Sequence, residues 1–332
     1  MKILNKIYPC LILIAGLLMM VSCTEDTTEQ DALDQEKRYF ELYMAANYPD
    51  AVPEMSGLYF IENKAGTGDM PGDSSWVLVN HVAYTIPGDV VYDTYIERVA
   101  IDHNMQDESA MYGPYKMRNG RLNEGFTKGL GMMKEGGEAT FLFTSELGYG
   151  SANTGSVGAY RSLKYEVVLL EVLGDDIEAY EAAKILAYTD TIPGVEAIYD
   201  SIYEATMYYV VDSVTDGPPV AIDSTIQVAY KGYLPDGRVF DESTEDTYFQ
   251  FTVGDYEAEE GTAINGWHLG LEKFKEGEKG RLILPYPLAY GEQGKFTNTG
   301  KVAIPAYETL VFDVEVISVD TDDNEDDPVV EE

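Results

Sequence analysis

Hydrophobic and polar positions follow two rhythms along the chain. Tyr39, Leu42, Tyr43 and Ala46 recur at helical spacing within Asp34 to Tyr48, which predicts an amphipathic helix. Leu58-Tyr59-Phe60-Ile61 reads as a short strand leading to a turn at Gly66-Thr67-Gly68, and Trp76 to Tyr84 alternates as a second strand. Thr94 to Gly120 gives only weak signals and is expected to be loop with some strand. Gly125-Phe126 opens a short helix, and strands are expected at Ala139 to Thr144 and Leu163 to Val172.

A helical pair is expected next. Ile177, Tyr180, Ala183 and Ala187 form one stripe. After Pro193-Gly194, Val195, Ile198, Tyr199, Ile202 and Tyr203 form another. Trp267, Leu271 and Phe274 share one face of a later helix, with Gly277 expected as its C-cap.

The order of strands and turns in the first half begins again in the second. Tyr59, Gly68, Val79 and His81 stand 149 positions before Tyr208, Gly217, Val228 and Tyr230. Tyr92-Asp93 matches Phe240-Asp241, Gly125-Phe126 matches Gly266-Trp267, and Lys134-Glu135-Gly136 matches Lys275-Glu276-Gly277. Tyr149-Gly150 matches Tyr290-Gly291, Ala159-Tyr160 matches Ala306-Tyr307, and Tyr165 matches Phe312. Long blocks separated by small changes of loop length imply a duplicated domain. The period is far longer than a solenoid repeat, so two independent domains are expected.

Composition sets the surroundings. The 332 residues carry 22 Lys and Arg against 59 Asp and Glu, a net charge of −37. Phosphate backbones are bound by basic patches, so nucleic acid is not an expected partner. Lys2 and Lys6 precede an apolar run from Leu11 to Val21 and then Ser22-Cys23, the order of a secretion signal. Met20-Val21-Ser22-Cys23 resembles a lipobox, with Met20 where Leu is usual. The acidic stretch that follows resembles that of lipoproteins of the Bacteroidetes. That resemblance implies acylation at Cys23 and an outer-membrane anchor, facing the periplasm or the cell surface. Cys10 would leave with the signal, so no intrachain disulfide is expected.

The second repeat carries a set of blocks in a telling order: Val228-Ala229-Tyr230-Lys231-Gly232, Asp236 to Asp241, Phe249 to Gly254, Ile264-Asn265-Gly266-Trp267, Pro285 to Gly291, and Ile304-Pro305 running into Leu310 to Glu315. Together they resemble an FKBP-type peptidyl-prolyl isomerase domain over Met207 to Asp320. The resemblance implies an α+β fold: two tandem FKBP-like domains, each a curved antiparallel sheet wrapped around a short helix, with added N-terminal helices. It also implies a site. Trp267 is the floor beneath a proline ring, and Tyr230, Phe249, Ile264, Ile304 and Phe312 are apolar walls, with Phe240 beside them. Tyr290 and the Ile264 backbone N–H would hydrogen-bond the substrate, and Asp241 would stand next to the twisting amide. No cofactor or metal is implied, and proline-containing polypeptide segments are the expected partner.

Three departures from the family pattern stand out. Glu245 and Asp246 lie where an Arg is common, Asp255 to Ala263 is long and acidic, and the flap from Glu292 to Ala303 is long. The first repeat keeps Asp93 and Tyr149, but has His81, Tyr92, Phe126 and Asn123 in place of Tyr230, Phe240, Trp267 and Ile264, and Val157-Gly158 in place of Ile304-Pro305. It is therefore expected to be degenerate, serving as a binding or spacer module or as a dimerisation surface.

The expected plan is a lipoprotein signal at 1–22, an acidic tether at 23–35, the degenerate domain at 36–175, the isomerase-like domain with leading helices at 176–320, and an acidic disordered tail at 321–332. Two functions remain open at this stage: an extracytoplasmic prolyl isomerase assisting the folding of envelope or secreted proteins, and a non-catalytic binding or chaperone lipoprotein. His81, His103 and His268 have no metal-ligand spacing, and no phosphate loop or nucleophile elbow is present.

Overall fold

The computed structural model describes residues 29–54, 57–244, 247–254 and 263–320. The signal, Cys23, the first part of the tether (23–28) and the acidic tail expected from sequence lie outside them, as do Glu245, Asp246 and most of the acidic insertion before Ala263. The rest of the expected tether, 29–35, is helical, because its acidic residues lie in the first turns of a helix that packs through Phe40 and Met44.

Helix α1 (Glu29–Asn47) leads into strands β1 (Leu58–Lys64), β2 (Trp76–Ile86) and β3 (Val90–Thr94). The weakly signalled stretch then holds a short helix, α2 (Glu97–Asp102), and strand β4 (Tyr115–Arg118). Helix α3 (Glu124–Leu130), β5 (Glu138–Phe143) and β6 (Ser162–Gly174) complete the first repeat. Helix α4 (Ile177–Thr189) connects it to β7 (Glu196–Asp200), β8 (Ala205–Val211), β9 (Thr225–Tyr233), β10 (Val239–Glu242) and β11 (Phe249–Thr252). Helix α5 (Asn265–Leu271), β12 (Lys279–Leu284), β13 (Lys295–Phe296), β14 (Val302–Ile304) and β15 (Leu310–Asp320) follow.

The two main sheets have the same connectivity. The first runs β1-β5-β6-β2-β3 with β4 on β2; the second runs β8-β12-β15-β9-β10 with β11 on β9, and adds β7 outside β8. All of these pairings are antiparallel. In each repeat the short helix lies against the sheet through a glycine. A Cβ on Gly266 would come within 2.6 Å of Leu284, and one on Gly125 within 2.6 Å of Phe143. Only a bare backbone permits so close an approach.

Three expectations are corrected. Val195 to Tyr203 is not a second helix: Glu196–Asp200 is a strand, with Ile198 opposite Met207 of β8. Val, Ile and Tyr spaced three and four apart fit a helix face, but these residue types prefer a pleated edge, and β8 offers one. Helix α5 ends at Leu271, before Phe274, and Gly277 is not its C-cap. Gly277 does adopt positive φ (79°), in the turn that enters β12, with its N–H donated to the Val316 carbonyl. Finally, the repeats do not pack independently. Lys116 of β4 reaches Glu181 of α4 at 2.7 Å and Glu308 at 3.1 Å, all three side chains almost fully buried. Burial lowers the Lys184 ammonium, but the Glu308 and Glu181 carboxylates outweigh it and hold its pKa above the ordinary value.

Candidate binding and catalytic site

Strands β9, β10, β11 and β15 and the start of α5 converge on a cavity of about 410 Å³. Its lining includes Tyr230, Phe240, Asp241, Phe249, Ile264, Trp267, Tyr290 and Phe312. Trp267 is 4% exposed and anchors the floor. Tyr230, Phe249 and Phe312 meet it edge-on, with centroids 5.1, 5.5 and 5.2 Å away. Such perpendicular contacts fix the rings as walls and keep the floor open. Phe240 packs edge-on against Phe312 at 5.5 Å, and both rings crowd the bare backbone of Gly232.

Polar groups occupy the rim. The Tyr230 hydroxyl donates to Asp241 Oδ2 at 2.7 Å. Sequence reasoning treated Tyr230 as an apolar wall and left open what holds Asp241 in the absence of the usual Arg. Only the pairing of β9 with β10 brings the two side chains together. Burial, with the Asp241 hydrogen bond added, pushes the Tyr230 phenol well above its ordinary pKa. Burial and the nearby Asp241 carboxylate also raise the Tyr290 phenol above its ordinary pKa. Ile264 is the N-cap of α5, at the pocket edge.

Of the residues expected at the site, Ile304 alone falls outside this cavity. It lines an adjoining groove that shares Phe240, Asp241, Tyr290 and Lys295 with it. Sequence reasoning missed Ala263 and Lys295 of the lining. A flap lysine carries no signal of its position until the β13–β14 hairpin folds over Tyr290, where Lys295 Nζ lies 5.3 Å from the ring centre.

A family model for FKBP-type peptidyl-prolyl cis-trans isomerase matches residues 85–170 and 217–317, more than half of the chain. The chain belongs to this family. A probable FKBP-type isomerase of Haemophilus influenzae is 34% identical over 116 residues, covering 35% of this chain and 44% of the relative. FK506-binding protein 1 of Saccharomyces cerevisiae is 36% identical over 113 residues, covering 33% of this chain and 90% of the relative. The crystal structure of FkpA from Escherichia coli aligns at 26% identity with a TM-score of 0.36, covering 45% of this chain and 63% of that one. The chain thus spans less than half the length of the Haemophilus relative.

The first FKBP-like repeat has the same frame with its site filled. His81 is 1% exposed and Phe126 fully buried. Tyr95 stacks edge-on against His81 at 4.9 Å and packs on Tyr115 at 4.3 Å. Tyr165, the counterpart of Phe312, is 1% exposed; its hydroxyl takes hydrogen bonds from Asn123 Nδ2 at 2.8 Å and from the Tyr92 hydroxyl. Asn123 also accepts from the Phe126 N–H, so it caps α3 as well as closing the pocket. Asp93 is bonded to His81 on one side and, on the other, to Lys301 from the flap of the second repeat, each at 3.2 Å. Burial acts to raise the Asp93 carboxyl, but His81 and Lys301 outweigh it and hold its pKa at about 2.

Proposed function

We propose that the second repeat catalyses cis-trans isomerisation of X–Pro bonds in polypeptides, and that the first repeat does not. The single observation that carries this reading is the open aromatic cavity over Trp267 with Asp241 and Tyr290 at its rim. The X–Pro bond isomerises slowly because rotation breaks its partial double bond. Twisting removes amide resonance and reduces the polarity of the group. An apolar pocket therefore favours the twisted state over the planar one, which is differential binding of the transition state. In this scheme Tyr290 donates to a substrate carbonyl and Asp241 stands beside the rotating amide; the reading is supported by both side chains lining the cavity and by the Tyr230 hydroxyl that steadies Asp241. No nucleophile or cofactor is required by this scheme.

The client would be an envelope or secreted protein, and the chain would be anchored in the outer membrane through an acylated Cys23, facing the periplasm or the surface. Support comes from the order of charged, apolar and small residues before Cys23 and from the acidic stretch after it. Mass spectrometry of the N-terminal peptide from membrane fractions would show or refute the lipid. Pairing of two copies through the first repeat is a further reading of that domain. It would have to use surface other than the face already taken by the second repeat's flap.

The deciding experiment is NMR exchange spectroscopy on an Ala-Pro peptide with the full chain, its Trp267→Ala variant and its Asp241→Ala variant. Acceleration by the wild type, lost in both variants, is the expected result. A folded wild-type protein that leaves exchange at the uncatalysed rate overturns the reading and favours a non-catalytic binding or chaperone lipoprotein.

A further inference from the structure

Beside the proline cavity lies a second groove of about 450 Å³ with walls from both repeats. Glu108 and Ser109 of the first repeat face Asp241, Tyr290, Lys295 and Asn298 of the second. Because the groove shares four residues with the cavity, a chain lying over Trp267 runs directly into it.

The shared wall is fixed on both sides. Asp107 accepts from Thr297 Oγ1 at 2.8 Å and from the Ser109 N–H at 2.9 Å. The Met111 N–H donates to the Val302 carbonyl at 2.8 Å, within the flap. Arg238 Nη1 donates to the Pro114 carbonyl at 2.9 Å. With Lys301 bound to Asp93, the flap of the second repeat is held against the first at several points. These contacts tie the loop that presents Glu108 to the flap beside the cavity.

The charges in the groove are unequal. Glu108 and Ser109 are exposed, and Asp241 is exposed with Oδ2 engaged by Tyr230. Among the described residues of the groove lining the one cation, Lys295, lies over the Tyr290 ring. The chain as a whole carries −37, which draws basic polypeptides towards it and repels acidic ones.

We propose that the first repeat completes a substrate subsite for the second, in which Glu108 selects polypeptides bearing Lys or Arg beside the proline. This rests on the isomerase reading above and adds a substrate class to it. Asp93, the counterpart of Asp241, acts in this scheme as a positioning residue that holds the flap.

The test uses the full chain and two decapeptides with a central Ala-Pro, one flanked by Lys and one by Glu on both sides. The readout is the ratio of their kcat/KM values by NMR exchange at low salt. The wild type is expected to favour the Lys peptide roughly three- to tenfold, the range of one exposed charge pair plus the general field. Glu108→Lys should collapse or invert the ratio. Glu62→Lys, the same charge change at an exposed position in β1, should keep it. An unchanged ratio in Glu108→Lys, or an equal shift in Glu62→Lys, overturns the proposal. If neither peptide is exchanged faster than in buffer, the isomerase reading fails. The same ratio, taken from dissociation constants by calorimetry, then decides the subsite separately.

Discussion

Phe126 and Trp267 stand at the same step of the same topology, yet one is sealed beneath tyrosines and the other floors an open cavity. The difference comes from a few side chains above them. In the second repeat Phe312 presents a ring edge and no polar atom, so nothing bridges the pocket. In the first, Tyr165 adds one hydroxyl at the equivalent place. That hydroxyl gathers Asn123 and Tyr92, and the three close the space. His81 and Tyr95 fill what remains. A barrel-like frame thus tolerates both states, because the sheet and short helix are held by residues below the site. What Asp93 does has changed with them: its counterpart Asp241 faces a cavity, whereas Asp93 grips the flap of its neighbour.

The largest effect should come from separating the two repeats. Lys116→Met removes the more deeply buried of the two cations that Glu181 and Glu308 share, leaving Lys184 to face both, and should cost about 3 kcal/mol. Urea unfolding should show the loss. If the repeats were mere neighbours, the transition would keep its midpoint.

Exchanging the deciding side chain sharpens the comparison next. Tyr165→Phe strands the Asn123 amide and should lower stability by about 1–3 kcal/mol, with X–Pro exchange unaltered. The reciprocal Phe312→Tyr places a hydroxyl among the rings around Trp267 and should reduce kcat/KM by about tenfold or more. Equal activity in Phe312→Tyr and wild type would mean that the filled first site is not explained by its polar bridge.

Tyr230→Phe removes the hydroxyl that steadies Asp241. At about 1 kcal/mol for such a bond, kcat/KM should fall roughly fivefold, with the melting temperature nearly unchanged. A value equal to the wild type would show that Asp241 needs no holding.

The smallest expected effect is on pH. The folded pKa of Asp93, about 2, lies below its unfolded value. Its stabilisation is therefore whole above about pH 4 and is lost as pH falls towards 2. Melting curves from pH 5 downwards should converge for the wild type and Asp93→Asn; parallel curves would remove the His81–Asp93–Lys301 link from the account.

Much of this was legible in the order of residues. The repeated blocks told that one topology occurs twice, and the aromatic set around Trp267 was named residue by residue before any geometry. The failures have local causes. Val195 to Tyr203 has helix spacing but strand-preferring residue types, and the free edge of β8 decided between them. Thr94 to Gly120 carries little periodicity because its strand and helix are short and its loop is fixed by the other repeat.

The chain by itself determined the duplication, the acidic charge and the apolar character of the second pocket, because each is a property of residue type and spacing. Tertiary structure alone decided that Tyr230 holds Asp241, that Lys116 and Lys301 join the repeats, and that Glu108 lines the groove beside the Trp267 cavity. These pairs lie on different strands or different repeats, and periodicity reports only the face a residue shares with its near neighbours in sequence. Contacts across the fold arise when two surfaces, each legible alone, are brought to within a few ångströms of one another.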